Sequence, residues 1–248
     1  MSIFENSIGK ILKELFIPLY LTSFLIAIVQ SSVLMIIPLY AIELGANPNI
    51  AALLFSFLGI GRFFSNIPIS YLIARIGYKF SMIAGFGVSA LTGIFGSSLN
   101  SFVELGLLSF FFGVTATIFL LSRLTLITVS IKSFQRGKII ASMAGINRGG
   151  NILGPITSGY ITVKFGFSYV FVTIAIISLL SALLILLSKI KNKKPEKESA
   201  LSLIEMSPKI IKKNIRIFST VGIAMFLLTF IRNCKDFLMP IWGNYIGL

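Results

Sequence analysis

Long apolar runs recur along this chain, separated by short polar stretches, and each run is about the length a helix needs to cross roughly 30 Å of hydrocarbon. Seven such runs are predicted, over 15–42, 51–73, 80–99, 103–129, 139–163, 167–188 and 217–243. They are rich in Ile, Leu and Phe and do not alternate apolar with polar as barrel strands do, so they read as helices. The expected fold class is therefore all-α, a polytopic membrane protein. The first run is too long for the apolar part of a signal peptide and lacks a clear small-residue cleavage site, so it belongs to the mature chain. Ahead of it, Ile3, Phe4, Ile8, Ile11, Leu12 and Leu15 share one helical face, the pattern of an interfacial helix feeding the first span.

The polar stretches differ in charge. Sixteen of the 22 Lys and Arg residues fall in four places: Lys10 and Lys13; Arg75 and Lys79; Lys132, Arg136 and Lys138; and nine between Lys189 and Arg216. The intervening loops carry only Lys164, so the positive-inside rule puts the N-terminus in the cytoplasm and the end of the seventh span outside. Three parts follow: a six-helix bundle over 1–188, a basic cytoplasmic linker over 189–216, and a seventh span over 217–248 that starts an incomplete second bundle. The linker reads as a solvated connector, given Pro208 and its dense lysines.

Composition agrees with a multi-pass protein of the cell membrane: 56% of residues are hydrophobic and 12% charged. The net charge of +14 is then a topology signal, answered by anionic lipid headgroups rather than by nucleic acid. With no histidine and one cysteine, Cys234, the chain has no internal disulfide and no zinc site of the Cys and His type, and no metal or cofactor is expected. An intramembrane enzyme would need a catalytic constellation, and none is present in the first six spans.

The fifth span is interrupted by "NRGGNILGPITSG", residues 147–159. Ala141, Gly145 and Gly149 make one small-residue stripe at spacing four, and Gly150, Gly154 and Ser158 make another, so neighbouring helices can approach closely. Pro155 removes a backbone donor and bends the helix where neighbours or cavity water repair the loss.

These residues carry a resemblance. The stretch around Gly150, Gly154, Pro155 and Gly159 is similar to the span-five motif of the major facilitator superfamily, with Ala141 and Ser158 in place of two further glycines. Between spans two and three, "SYLIARIGYKF" resembles the family's loop motif at Arg75, Gly77 and Lys79; Ser70 replaces its first glycine and Ala74 its usual aspartate. "FGFSYVF" and "IPLYAIELG" resemble the entry to the sixth span and the end of the first, whereas the arginine usual in span four is replaced by Ser109. The segments "VLMIIPLYAIEL" and "FLMPIWGNYIGL" also match at five positions, a trace of the family's internal symmetry. The resemblance implies a secondary transporter that moves a small solute by alternating access, with a site near the midplane between two six-helix halves. The span-five motif is associated with antiporters and implies export by exchange. In the family the loop motif latches the two halves together, and Ala74 removes the charge on which that latch depends.

Charges within the spans supply the candidate site. Arg62 is separated from either surface by roughly 18 Å of helix, too far to snorkel easily, and cations at that depth face a cavity, a partner or a pathway. Asn66 is one turn away, Asn147, Arg148 and Asn151 share an arc of the fifth span, and Gln30 adds a polar group in the first. Gln30, Arg62, Asn66, Asn147, Arg148 and Asn151 are thus expected to line a central aqueous cavity, with a ligand-free network between helices as the competing reading. Arg123, near the cytoplasmic end of the fourth span, is accounted for by snorkelling to headgroups.

No Asp or Glu lies deep in the first six spans, which favours an anionic or neutral solute over a cation and leaves a carboxylate proton relay without residues. Twelve spans would take about 400 residues, so the expected alternatives are a fragment of a carrier, a carrier completed by a second chain, or a half-carrier acting as a membrane assembly module without transport of its own.

Overall fold

The computed structural model describes residues 16–188, 190, 192 and 214–245. A π-helical stretch, Phe16–Leu21, leads into α1 (Thr22–Glu43). There follow α2 (Pro48–Ile76), α3 (Tyr78–Gly96), α4 (Phe102–Ser130), α5 (Ser133–Phe165), α6 (Phe167–Leu187) and α7 (Ile215–Tyr245). Each predicted span coincides with one of these helices, and no strand occurs among the described residues. The expected interfacial helix before the first span and most of the linker lie outside them.

Five segments are long and apolar enough to cross a membrane: Phe16–Glu43, α2, α3, α4 and α6. The sequence reading expects seven, and α5 falls short of this measure. Asn147, Arg148, Asn151 and several glycines lower the hydropathy of α5. Helix α5 also starts at Ser133, six residues before the predicted 139. The sequence places the cations there in a loop, yet Arg136 belongs to the helix and caps α4, donating from Nε to the Ile131 carbonyl (3.0 Å) and from Nη2 to that of Thr128 (2.6 Å).

Two turns are single glycines. Gly77 (φ +87°, ψ 163°) separates α2 from α3, and Gly166 (φ +96°, ψ 170°) separates α5 from α6, both in a region that side chains rarely adopt.

The most extensive helix contacts pair α2 with α4, α1 with α5 and α3 with α6. Each pairing rests on glycine. A Cβ on Gly113 of α4 would strike the Leu58 carbonyl of α2 and come within 3.0 Å of the Arg62 nitrogen, and one on Gly61 would strike the Phe110 backbone. A Cβ on Gly150 of α5 would stand 2.6 Å from Ala27 Cβ of α1, and one on Gly154 would strike Ser31. Gly93 of α3 lies as tightly on the Phe171 carbonyl of α6. With no apolar solvent difference to drive helices together in lipid, such close backbone approach supplies the packing.

Hydroxyls reinforce the same crossings: Ser32 donates to the Gly154 carbonyl (3.1 Å), and Ser89 shares a hydrogen bond with Ser178 (2.9 Å). The stripe of Ala141, Gly145 and Gly149 does not make the close approach read from its spacing. Nothing lies within 4 Å of a Cβ built on Gly145, and only Phe24 Cε2 approaches one on Gly149, at 3.6 Å.

The buried apolar residues form two clusters. One contains Tyr78, Met82, Leu126, Ile139 and Ile185, near the helix ends that carry Arg75, Lys79, Arg136 and Lys138. The other contains Ile36, Ala41, Ala51, Leu105 and Phe171, towards the opposite ends. Phe63, Phe64 and Ile67 of α2 are exposed on the outside of the described bundle.

Candidate solute cavity

Between the two apolar clusters, α1, α2, α4 and α5 line a half-open cavity of about 360 Å³. Helix α1 contributes Ile26, Ala27 and Gln30; α2 contributes Arg62 and Asn66; α5 contributes Asn147 and Asn151. The α4 wall is formed by Ala116, Thr117, Phe119, Leu120 and Arg123. Five of the six residues singled out in the sequence therefore meet in one space, although they come from three helices. Arg148 does not: it is exposed on α5, and its helical direction leads away from Asn147 and past Asn151.

Arg62 is the midpoint of α2, with 14 residues to each helix end, or ~21 Å of helix. Its position is set by the Gly61–Gly113 crossing, and its own carbonyl accepts from Ser65 Oγ (3.2 Å) and Thr117 Oγ1 (3.4 Å). Its Nε is buried without a hydrogen-bond partner, as is Asn147 Oδ1 across the cavity. Both atoms retain their full hydrogen-bonding capacity in a site away from the membrane surface.

On α5, Gly150 turns towards α1 while Asn147 and Asn151, on either side of it in sequence, border the cavity. Pro155 deprives the Asn151 carbonyl of its ordinary helical donor, so α5 has one freed acceptor on a cavity-lining residue. Within the span-five motif Gly150 and Gly154 bring α5 onto α1, whereas a Cβ on Gly159 would meet only Met35 Cε, at 3.5 Å.

Arg123 is the residue that sequence reasoning assigned elsewhere. Its place seven residues from the end of α4 suggests an anchor to headgroups; instead it lines the cavity, and its Nη1 donates to Ser23 Oγ of α1 at 3.2 Å. Ser23 in turn donates to the Leu19 carbonyl in the π-helical stretch. Only the packing of α1 beside α4 reveals this, because the chain separates Ser23 from Arg123 by 100 positions.

The loop motif sits at the end of the bundle, away from this cavity. Arg75 is exposed, Gly77 makes the turn, and Lys79 Nζ donates to the Ser188 carbonyl (2.7 Å) at the end of α6. Among the described residues there is no group of three or more His, Cys, Asp or Glu side chains able to hold a metal ion.

A bundle of long apolar helices around a polar, cation-bearing cavity defines a multi-pass membrane protein of the solute-carrier type. The sequence profile of the Major Facilitator Superfamily matches residues 19–248, and the chain belongs to that family of transporters. Curated relatives include proteins named "Multidrug resistance protein MdtG". The one from Yersinia enterocolitica (serotype O:8 / biotype 1B) is 26% identical over 174 residues, 68% of this chain and 42% of the relative. That from Klebsiella pneumoniae (strain 342) is 27% identical over the same shares, and that from Proteus mirabilis (strain HI4320) is 29% identical over 64% of this chain and 40% of the relative. The matched region thus spans less than half the length of these relatives.

Proposed function

We propose that this chain forms the first half, and the start of the second, of a secondary active transporter that moves a small solute across the cell membrane by alternating access. In this reading residues 1–188 are the first bundle, 189–216 a cytoplasmic linker and 217–248 the opening of the second bundle, with the N-terminus in the cytoplasm. The observation that carries it is the cavity formed by Gln30, Arg62, Asn66, Asn147 and Asn151 midway along helices of a transporter family. A polar space at that depth is costly to maintain unless something polar passes through it.

The solute is anionic or neutral, because the lining has two cations and no carboxylate. Export by exchange fits the glycine–proline motif of α5 and the word "multidrug" in the names of the relatives. The test is saturable solute flux in proteoliposomes containing the whole protein. Flux abolished by Arg62→Ala is the expected result; stable insertion with no flux of any solute would instead mark a membrane assembly module.

A further inference from the structure

We infer that the cavity recognises an organic anion that also carries a hydrogen-bond donor, with Arg62 and Arg123 sharing its negative group and the Asn147 side-chain carbonyl accepting from the donor. This rests on the transport reading above and gives the solute a chemical class.

Charge is the first argument. Both guanidinium groups border one cavity of about 360 Å³, within the size range of small-molecule sites. The carboxylates described in α1–α6 are Glu43, the last residue of α1, and Glu104, in the first turn of α4. Both stand at the end of the bundle remote from Arg123. The ion pair found among the described residues, Lys235 with Asp236 at 3.1 Å, belongs to α7. Two cations inside a membrane bundle therefore face the same space, with no carboxylate of the described residues beside them. A mobile counter-anion is the group that offsets them, and guanidinium matches carboxylate, sulfonate or phosphate oxygens through paired N–H groups.

Orientation is the second. Ser23 Oγ engages one N–H of Arg123 at 3.2 Å and is itself committed to the Leu19 carbonyl. A neutral hydroxyl does not cancel the charge; it fixes the guanidinium and leaves most of its five donors free. Arg62 reaches the same cavity from α2 with its buried Nε unpartnered. The two cations thus come from different walls, arranged to be bridged by one group.

The third is a buried acceptor on a cavity-lining residue. Asn147 Oδ1 has no donor, so an anion with no N–H or O–H of its own would leave it unsatisfied. A solute bearing a hydroxyl or amide N–H meets it. Ile26, Phe119 and Leu120 supply an apolar wall for the carbon frame between the two polar ends.

The experiment uses the whole protein purified in detergent and three probes of one shape: 4-hydroxybenzoate, 4-hydroxybenzamide and 4-hydroxybenzylamine. Binding is read by calorimetric titration and by the rise in thermal midpoint. The expected result is saturable binding of 4-hydroxybenzoate at least tenfold tighter than the neutral and cationic probes. That preference is lost in Arg62→Gln and in Arg123→Gln, is partly retained in Arg123→Lys, and is unchanged in Lys138→Gln. Benzoate itself, lacking the donor, binds more weakly than 4-hydroxybenzoate, and Asn147→Ala removes that difference. No binding of 4-hydroxybenzoate, equal binding of the amide or amine, or an anion preference that survives both arginine-to-glutamine changes overturns the inference. Saturable flux of a neutral or cationic solute without anion binding overturns it while leaving the transport reading intact. Anion binding without flux of any solute upholds it and sinks the transport reading.

Discussion

Asn192 accepts the backbone N–H of Lys79 through Oδ1 at 3.1 Å and donates through Nδ2 to the Ile76 carbonyl at 2.7 Å, so one side chain caps the end of α2 and the start of α3. Lys79 returns the capping interaction, its ammonium reaching the Ser188 carbonyl at 2.7 Å where α6 ends. The loop motif and the first residues after the bundle are therefore joined by reciprocal helix caps. Arg75 and Lys79 share a motif and a charge, yet only Lys79 is engaged in this way.

Asn192→Ala removes two hydrogen bonds and is expected to destabilise the protein by ~1–3 kcal/mol. Gly77→Ala is expected to cost more, because it adds the strain of φ +87° and a Cβ that would meet the Asn192 amide nitrogen at 2.7 Å. Thermal midpoints in detergent check both, and a Gly77→Ala protein as stable as the parent would contradict this account of the turn.

Gly113→Ala should separate α2 from α4 and shift Arg62, costing about 1–3 kcal/mol and most of the transport. Gly59→Ala, two positions from Gly61 but with nothing within 4 Å, should leave both intact. Comparing yield, thermal midpoint and flux of the two variants tests whether the crossing, rather than glycine content, positions the arginine.

On α5 the two small-residue stripes should separate in the same way. Gly154→Ala collides with Ser31 and the Ile28 carbonyl and is expected to reduce stability. Gly145→Ala has open space around it and should be neutral or stabilising by up to ~1 kcal/mol through helix propensity. Equal losses at both positions would show that the exposed stripe is also packed in the whole protein.

Water access to the cavity is testable with thiols, in a background where Cys234, the one cysteine of this sequence, is replaced by serine. Asn66→Cys and Asn151→Cys should react with a small membrane-impermeant thiol reagent. Ser89→Cys, fully buried beside Ser178, should not. Unreactive thiols at both asparagine positions would favour a dry hydrogen-bond network between helices over an aqueous site.

Much of this architecture could be read directly. Apolar runs mark helices because lipid requires every backbone group to be satisfied within the segment, so length and hydropathy are enough to locate them. The depth of Arg62 and the polar pairs at Asn66, Asn147 and Asn151 pointed to one space for the same reason: polar groups there need partners. The reading failed where position along a helix was taken for environment. Arg123 lies near an end of α4 yet faces inward, and Arg148 lies beside Asn147 yet faces out. Helix α5 misses the measure for crossing a membrane, since the residues that make it useful to a cavity lower its hydropathy.

By itself the sequence determined that this is an all-helical membrane protein with its basic residues grouped at alternate turns, because those properties follow from local composition. Tertiary structure alone decided that Gly61 meets Gly113, that Gly150 meets Ala27, and that Ser23 holds Arg123 at the cavity wall. Those contacts depend on the rotation of each helix about its axis. That rotation is set by which small residues allow two backbones to touch, a property of pairs of helices and not of any one segment.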